Sequence, residues 1–310
     1  MTAEPAAERV LVTGATGFIG THVLAPLVEA GYEVHAVSSR PPSGDARPDV
    51  TWHRSDLLAD PEEVVARVAP SRLLHLAWDA EHGRFWTSTE NLRWVAATLG
   101  LVQAFAKAGG RRAVVAGTCA EYDWTAGQDS LAEDAPRAPT TLYGAAKNAT
   151  WEVLEAAADE LGVEVAWGRV FFLYGPGEDE RRLVASVARA LTHGRRAQTG
   201  SGEQLRDLMH VTDVAGAFAA LTSSQVTGAI NVASGEGHRL REVIERIGSE
   251  TGRPDLLDIG ALPPRAGDPA RLVADPTRLL SEVGFRPRIP LSQGLAETVE
   301  WWRARAETAR

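Results

Sequence analysis

Short apolar runs alternate with longer amphipathic stretches along most of the chain. The run at 10–13 is followed by glycines and then by apolar residues at helical spacing from 18 to 30. Such runs predict buried strands, and the amphipathic stretches predict helices that cover them. The pattern predicts further strands at 33–39, 51–54, 72–78, 113–117, 163–172 and 229–233, and helices at 61–68, 90–108, 143–161, 181–192, 212–223, 240–251 and 291–303. Strands that alternate with helices form a parallel sheet with helices on both faces, so we expect a doubly wound α/β fold.

Three glycines, Gly14, Gly17 and Gly20, join the first predicted strand to the first helix. Strand, glycine turn and helix in this order are the context of a dinucleotide-binding Rossmann unit, although the first gap is one residue longer than in G-x-G-x-x-G. Gly14 would permit the tight turn, Gly17 would let a pyrophosphate approach the backbone, and Gly20 would bring the helix close to the strand. The alternative is a glycine-rich turn in some other α/β protein.

The regular alternation weakens after the turn Tyr174-Gly175-Pro176-Gly177. Beyond it, the segment 197–206 contains two glycines and is predicted to be a loop or a hairpin. We therefore expect a second, discontinuous α/β lobe. The expected parts are a dinucleotide-binding domain at 1–175 and about 208–234, and a smaller substrate-binding lobe at 176–207 and 235–310.

Composition and charge narrow the class of protein. The chain of 310 residues is 44% hydrophobic and 24% charged, as globular proteins are, and its formal net charge is -9. Without a basic run it is not expected to bind nucleic acid or an anionic membrane, and no apolar stretch is long enough to span a bilayer. Cys119 is the only cysteine, and no Cys/His cluster has metal-ligand spacing. We therefore expect no metal. The first residues lack a signal-peptide core, and with a single cysteine this favours a cytoplasmic protein.

The residues after the second predicted strand bear on the choice of cofactor. An NAD site usually has an acidic residue here that binds the ribose 2′-hydroxyl, whereas this chain has Ser38, Ser39 and Arg40. Hydroxyls and a guanidinium suit a 2′-phosphate, so we favour NADP(H), with NAD(H) as the alternative. Arg40 could otherwise merely open a solvated loop at 41–48.

Tyr143 and Lys147 lie four residues apart on one predicted helix and therefore on the same face. A nearby ammonium favours the phenolate, so Lys147 is expected to lower the pKa of Tyr143 toward the working pH. The alternative is an ordinary pair on a helix surface. Lys147 and Lys107 are the only lysines, because the chain uses arginine elsewhere. This usage favours a function for Lys147 that arginine cannot perform.

Polar residues also follow two other predicted strands. Ligands of open α/β sheets bind at the carboxyl ends of the strands, so the hydroxyl of Thr118 could hydrogen-bond a substrate carbonyl. Glu121, close by, is expected to be a solvated loop carboxylate. The loop at 79–89 contains Phe85 and Trp86, which could face a ligand or only pack.

These motifs together resemble the extended short-chain dehydrogenase/reductases, specifically the nucleotide-sugar epimerase/dehydratase group. The resemblance rests on the glycine segment 14–20, on Thr118 and on Tyr143-x-x-x-Lys147. It extends over nearly the whole chain, because later segments also match. These are the strand and turn at 169–177, the substrate-domain signature at 200–214 and the motif Arg265-x-Gly267-Asp268-Pro269.

The resemblance implies a role for each matching residue. Thr118, Tyr143 and Lys147 are the expected catalytic residues. Arg206 and Arg265 are expected to hold the diphosphate of a sugar nucleotide, with Phe172 also in the substrate site. Asp56 and Leu57 match a pair that contacts adenine. The residues expected at the cofactor are Gly14, Thr16, Gly17, Phe18, Ile19, Gly20, Ser38, Ser39, Arg40, Asp56, Leu57, Leu76, Ala77, Trp78, Tyr143 and Lys147.

Departures from the family pattern narrow the expected reaction. The 4,6-dehydratases of this group carry Asp-Glu directly after the catalytic threonine, where this chain has Cys119 and Ala120. Elimination of water by that route should therefore fail. Phe172 replaces an asparagine of the group and departs from the pattern of the UDP-hexose 4-epimerases.

We therefore expect an NADPH-dependent ketoreductase that acts on a nucleotide-linked 4-keto-6-deoxyhexose, with Tyr143 as the proton donor. The alternatives are a nucleotide-sugar 4-epimerase with tightly bound NAD and a non-catalytic NADP-binding sensor. The resemblance also implies a homodimer that pairs the helices at 90–108 and 143–161.

Overall fold

A computed structural model describes residues 7–40, 47–264 and 267–308 of the chain. Its centre is a seven-stranded sheet in the order β10-β6-β5-β4-β1-β2-β3, in which every neighbouring pair is parallel. The strands are β1 Arg9–Thr13, β2 Glu33–Ser38, β3 Val50–Arg54, β4 Arg72–His75, β5 Arg112–Thr118, β6 Glu164–Val170 and β10 Gly228–Val232. The strand order reverses between β1 and β4, which opens a crevice at the carboxyl ends of these strands.

Helices cover both faces of this sheet. The helices of the described chain, including those of the second part, are α1 Phe18–Glu29, α2 Pro61–Val68, α3 Glu90–Lys107, α4 Leu142–Leu161, α5 Leu183–Thr192, α6 Val211–Ser223, α7 Leu240–Thr251, α8 Thr277–Ser281 and α9 Leu291–Thr308. Helix α1 packs against α6 on one face, and α3 packs between α2 and α4 on the other. Each face of the sheet carries an apolar core. On β1, Val10 and Val12 belong to the first core, on the side of α1, and Leu11 belongs to the second core on the other side, as expected for a strand buried on both sides. The predicted doubly wound fold is therefore confirmed.

A second, smaller part of the described chain consists of a four-stranded sheet, a separate strand pair and the helices α5, α7 and α9. Strand β9, Leu205–His210, is its centre and pairs with β7 Phe172–Tyr174, β11 Gly237–Arg239 and β13 Arg271–Leu272. A separate pair joins β8 Ala197–Thr199 to β12 Leu257–Ile259. Helix α5 packs against α7 and α9 over a third apolar core.

The structure differs from the predicted elements at three points. The strand predicted at 72–78 ends at His75, and the chain leaves the sheet before Trp78. The strand predicted at 163–172 is two strands, because β6 stays in the central sheet while β7 joins the second. The segment 197–206 is a loop only at 200–204; it begins with β8 and ends in β9, and these strands pair with different partners and so form no hairpin. Strand β7 thus belongs to the second sheet although the dinucleotide-binding domain is predicted to reach residue 175. The division into domains stays a prediction.

In the part of the chain that the structure describes, no helix is both long and apolar enough to cross a membrane.

Candidate active site

The glycine turn lies at the crevice between β1 and β4. Gly14 has a φ of +68°, and a Cβ there would come within 2.7 Å of the backbone nitrogen of Ala77. A Cβ on Gly20 would lie 2.1 Å from the carbonyl oxygen of Gly14, whereas one on Gly17 would lie 3.1 Å from it. Gly17 is the N-cap of α1 and offers no side-chain cap, so the first N–H groups of the helix are left for another acceptor. This arrangement fits the pyrophosphate of a dinucleotide.

A cavity of about 270 Å³ opens beside this turn. It contains members of all three predicted groups of site residues. The predicted residues on its walls are Gly14, Gly17, Phe18, Ile19, Gly20, Leu76, Trp78, Thr118, Tyr143, Lys147 and Phe172. The structure thus brings together the glycine turn, the three expected catalytic residues and one expected substrate residue.

The other residues expected at the cofactor lie away from the cavity wall. The hydroxyl of Thr16 is 3.3 Å from that of Ser38, which is buried and bonds the backbone of Arg40. Ser39 and Arg40 are exposed at the end of β2. The remaining three are dispersed along the same edge: Asp56 is exposed and accepts from the amide of Leu58, Leu57 is buried in the second core, and Ala77 donates to the hydroxyl of Thr13.

Tyr143, Thr118 and Lys147 form the polar part of the cavity. The hydroxyl of Thr118 hydrogen-bonds the phenol of Tyr143. The ammonium of Lys147 donates to the carbonyl oxygen of Ala116 at 2.8 Å and lies 3.8 Å from the centre of the Trp78 ring. The Lys147 side chain is buried, and this lowers its pKa to about 7.

The predicted effect of Lys147 on Tyr143 is wrong for the protein without ligands. Burial raises the pKa of the Tyr143 phenol above its ordinary value. The hydrogen bond from Thr118 and the charge of Arg182 oppose this rise, whereas Glu121 adds to it. Lys147 does not act as predicted because its ammonium faces Ala116 and the Trp78 ring instead. Tyr143 is therefore a neutral phenol at physiological pH.

Aromatic side chains enclose Tyr143. The ring centres of Phe85 and Trp86 lie 4.9 and 5.7 Å from that of Tyr143, each edge to face, and the amide of Tyr143 donates to the carbonyl of Trp86. Trp86 in turn meets Trp124 edge to face at 6.3 Å. The loop at 79–89 thus faces the cavity, which was one of its two predicted states.

Two large side chains on the cavity wall, those of Trp124 and Arg182, were not among the predicted site residues. Trp124 comes from an irregular polar segment, and Arg182 is the N-cap of α5. Neither lies in a recognisable motif, so the sequence offers no local signal for either residue.

Glu121 is buried, which corrects the prediction of a solvated carboxylate. It accepts hydrogen bonds from the amide of Thr118 at 2.8 Å, from the indole of Trp167 at 2.8 Å and from Nε of Arg169 at 2.7 Å. The carboxylate is fully committed to this ion pair and does not reach the cavity. Among the described residues, no aspartate or glutamate lines the cavity wall.

The expected substrate residues are only partly described. Phe172 lines the cavity, and the guanidinium of Arg206 lies 5.3 Å from its ring centre. Arg206 is buried and pairs with Asp268 at 2.5 Å. Arg265, the other arginine expected at the diphosphate, lies outside the described residues. Over those residues, no group of three or more His, Cys, Asp or Glu side chains is placed to hold a metal ion.

Known proteins share this fold and these motifs. A model of the NAD dependent epimerase/dehydratase family matches residues 10–233, and the chain belongs to this family. This membership confirms the resemblance inferred from the motifs.

Three similar proteins illustrate the range of the family. The UDP-glucose 4-epimerase of Mycolicibacterium smegmatis is 29% identical over 96% of this chain and all of its own length. The structure of MoeE5 in complex with UDP-glucuronic acid and NAD has a TM-score of 0.82 and 32% identity, covering 96% of this chain and 99% of the other. The NAD-dependent NDP-hexosamine 5,6-dehydratase TunA has a TM-score of 0.84 and 26% identity, covering 96% and 98%. These similar proteins include an epimerase and a dehydratase, so membership of the family alone does not define the reaction.

Proposed function

We propose that this chain reduces a 4-keto-6-deoxyhexose linked to a nucleoside diphosphate, with NADPH as the preferred cofactor. The bound nicotinamide supplies the hydride. The Thr118 hydroxyl hydrogen-bonds the substrate carbonyl, and Tyr143 donates a proton to the alkoxide that forms. Lys147 would bind the cofactor ribose through its ammonium, while the Thr118 hydroxyl and the charge of Arg182 favour the phenolate that Tyr143 becomes.

The protonation state of Tyr143 carries the proposal. A ketone that accepts hydride needs a proton donor, and the enclosed phenol of Tyr143 holds its proton at physiological pH. The cavity wall has no carboxylate among the described residues, and Cys119 and Ala120 occupy the positions after Thr118. Proton transfer to a carbonyl oxygen is supported, whereas elimination of water has no acid and base beside Tyr143.

The direction of the net reaction depends on the cofactor. Ser38, Ser39 and Arg40 place two hydroxyls and a guanidinium at the end of β2, without a carboxylate in these three positions. These groups favour a 2′-phosphate over a free 2′-hydroxyl. A cofactor that exchanges after each turnover suits a reductase. Arg206 and Arg265, with Phe172, would bind the diphosphate and so position the sugar.

A 4-epimerase with tightly bound NAD is the second candidate. Several full-length relatives are UDP-glucose 4-epimerases, and the structure of MoeE5 contains NAD with a nucleotide sugar. An epimerase oxidises and reduces its substrate in one site, so it would use the same Thr118, Tyr143 and Lys147.

Cofactor content and net oxidation distinguish the two candidates. The purified protein is denatured and its nicotinamide content measured, and NADPH oxidation is then followed with a panel of 4-keto nucleotide sugars. A reductase oxidises NADPH with at least one of them and carries no stoichiometric NAD. A Tyr143→Phe variant should lose most of this rate, because one proton donor contributes about 10²–10⁴-fold. Tyr32→Phe is the matched control, since that phenol lies on the surface and bonds Ser223.

Stoichiometric bound NAD together with conversion of UDP-glucose, and no oxidation of NADPH, would assign the chain to the epimerases. A Tyr143→Phe variant with more than about a tenth of the wild-type rate would contradict the role of Tyr143 under either candidate.

A further inference from the structure

We propose that Trp78 is a positioning residue for Lys147: the face of its indole holds the Lys147 ammonium and keeps it charged inside the cavity. The inference rests on the proposed function only because that function needs a cation at Lys147. Its test reads the ammonium directly and does not depend on turnover.

The contacts of Lys147 carry this inference. The ammonium has three N–H groups, and one donates to the carbonyl oxygen of Ala116 at 2.8 Å. The centre of the Trp78 ring lies 3.8 Å from Nζ, and that of Trp167 lies 5.8 Å away. A ring face at such a distance attracts a cation through its quadrupole, and the attraction is larger where water is excluded. Trp78 is therefore the closest charge-stabilising group that Lys147 has besides a single carbonyl.

The titratable groups around Lys147 supply no direct partner. Glu121 favours the charged form of Lys147 from a distance, but its oxygens are bonded by Trp167 and Arg169. His75 lies on β4 and opposes the charge, but burial lowers its pKa to about 3, so it is neutral near pH 7. Tyr143, one turn away on α4, is a neutral phenol. Burial thus acts against the ammonium with little compensation from anions.

Trp78 is itself held in place from the opposite side. Its Nε1 donates to Oδ1 of Asn91 at 2.8 Å, and Asn91 is buried at the start of α3. The side-chain NH₂ group of Asn91 also donates to the backbone carbonyls of Phe85 and Ser88 at 2.7 and 2.8 Å. One residue therefore fixes the ring under Lys147 and the loop that encloses Tyr143. A tryptophan without such an anchor could turn its face away.

Only two lysines are present in the chain, which makes the protonation of Lys147 measurable. The full chain, freed of nicotinamide, is labelled with [ε-¹³C]lysine and titrated by NMR. Lys107 is exposed and serves as an internal reference, and a Lys107→Arg variant assigns the two signals. Trp78→Leu keeps an apolar side chain and removes the ring face. Trp124→Leu is the matched control, because Trp124 lines the same cavity but its indole donates to the carbonyl of Cys119 and packs against Trp86.

The proposal expects Trp78→Leu to lower the pKa of Lys147 by about one pH unit, a tenfold loss of proton affinity. Trp78→Phe should give a smaller change in the same direction, since phenylalanine is the weaker cation partner. Trp124→Leu should leave the pKa of Lys147 at the wild-type value. An unchanged or raised pKa in Trp78→Leu would overturn the proposal. If that variant does not fold, an unchanged value in Trp78→Phe would overturn it instead.

Asn91→Leu tests the anchor separately. It removes the hydrogen bond to the indole but leaves Trp78 in the chain, so the pKa of Lys147 should fall as in Trp78→Leu. A wild-type value would show that Asn91 does not position the ring. Failure of the proposed reductase activity leaves both titrations valid, because neither requires substrate or turnover.

Discussion

Glu121 forms a buried ion pair with Arg169 and accepts a hydrogen bond from the amide of Thr118. Loss of this ion pair should lower the free energy of unfolding. The two side chains are 0% and 1% exposed, and their ion-pair distance is 2.7 Å. Glu121→Gln removes the charge while it keeps the shape. The variant leaves the guanidinium of Arg169 buried without a counter-charge, and its other partners, the phenol of Tyr122 and the carbonyl of Glu133, are neutral.

Removing one partner of a buried pair costs about 3–5 kcal/mol, because the other charge stays desolvated and uncompensated. The glutamine also has one acceptor oxygen where Glu121 has two, so its NH₂ group faces either Nε of Arg169 or the N–H groups of Thr118 and Trp167. With a slope of about 3 kcal/mol/M in urea, the unfolding midpoint should fall by about 1 M or more. The turnover of the variant should fall as well, since the amide of Thr118 loses its fixed acceptor.

Urea unfolding followed by tryptophan fluorescence measures this loss. Glu90→Gln is the control: its pair with Arg93 is largely exposed, and the change should be less than about 0.5 kcal/mol. Combining Glu121→Leu with Arg169→Met should recover much of the lost stability, because neither charge remains buried. A loss below about 1 kcal/mol in Glu121→Gln would show that Arg169 is not left as a desolvated charge.

The remaining predictions concern the glycine turn, the thiol and the lysine. Gly20→Ala should lower the melting temperature sharply because its Cβ would meet the Gly14 carbonyl, whereas Gly17→Ala should fold and bind NADPH about tenfold more weakly by calorimetry. Burial raises the pKa of Cys119 to about 12, so at pH 8 the native thiol should react with iodoacetamide at least about a hundredfold more slowly than in urea; an equal rate would contradict this. The pKa of Lys147 falls from 10.5 to about 7 on folding, so the unfolded chain holds more protons between these values, and stability should rise with pH there by about 1 kcal/mol per pH unit relative to Lys147→Met. A parallel pH dependence of the two proteins would exclude this contribution.

Local sequence signals predicted the parts of the site that depend on neighbours in the chain. The spacing of the glycines predicts the turn. In the structure, a Cβ on Gly14 would clash with the backbone of Ala77, and a Cβ on Gly20 would clash with the carbonyl of Gly14. Tyr143 and Lys147 share a helix face because they are four residues apart. Thr118 comes to the same crevice because the carboxyl ends of parallel strands lie at one edge.

Long-range contacts account for what the sequence did not predict. Glu121 is buried because its partner Arg169 comes from a strand 48 residues further along, which no local pattern indicates. The pKa of Tyr143 is raised because Phe85, Trp86 and the rest of the cavity exclude water, and this enclosure exists only in the folded chain. The hydrophobic pattern runs without a break from β6 to β7, yet the two strands belong to different sheets, because β6 pairs with β5 and β7 pairs with β9.

Transfer of a deuterium label from the cofactor to the sugar would show whether the chain reduces a 4-keto sugar with NADPH. The protein is incubated with NADPH that carries deuterium at both C4 positions of the nicotinamide and with a nucleotide-linked 4-keto-6-deoxyhexose, and the product is analysed by mass spectrometry and NMR. We predict one deuterium at C4 of each product sugar and one NADPH consumed for each. Conversion of UDP-glucose to its 4-epimer without incorporated deuterium and without loss of NADPH would contradict this prediction.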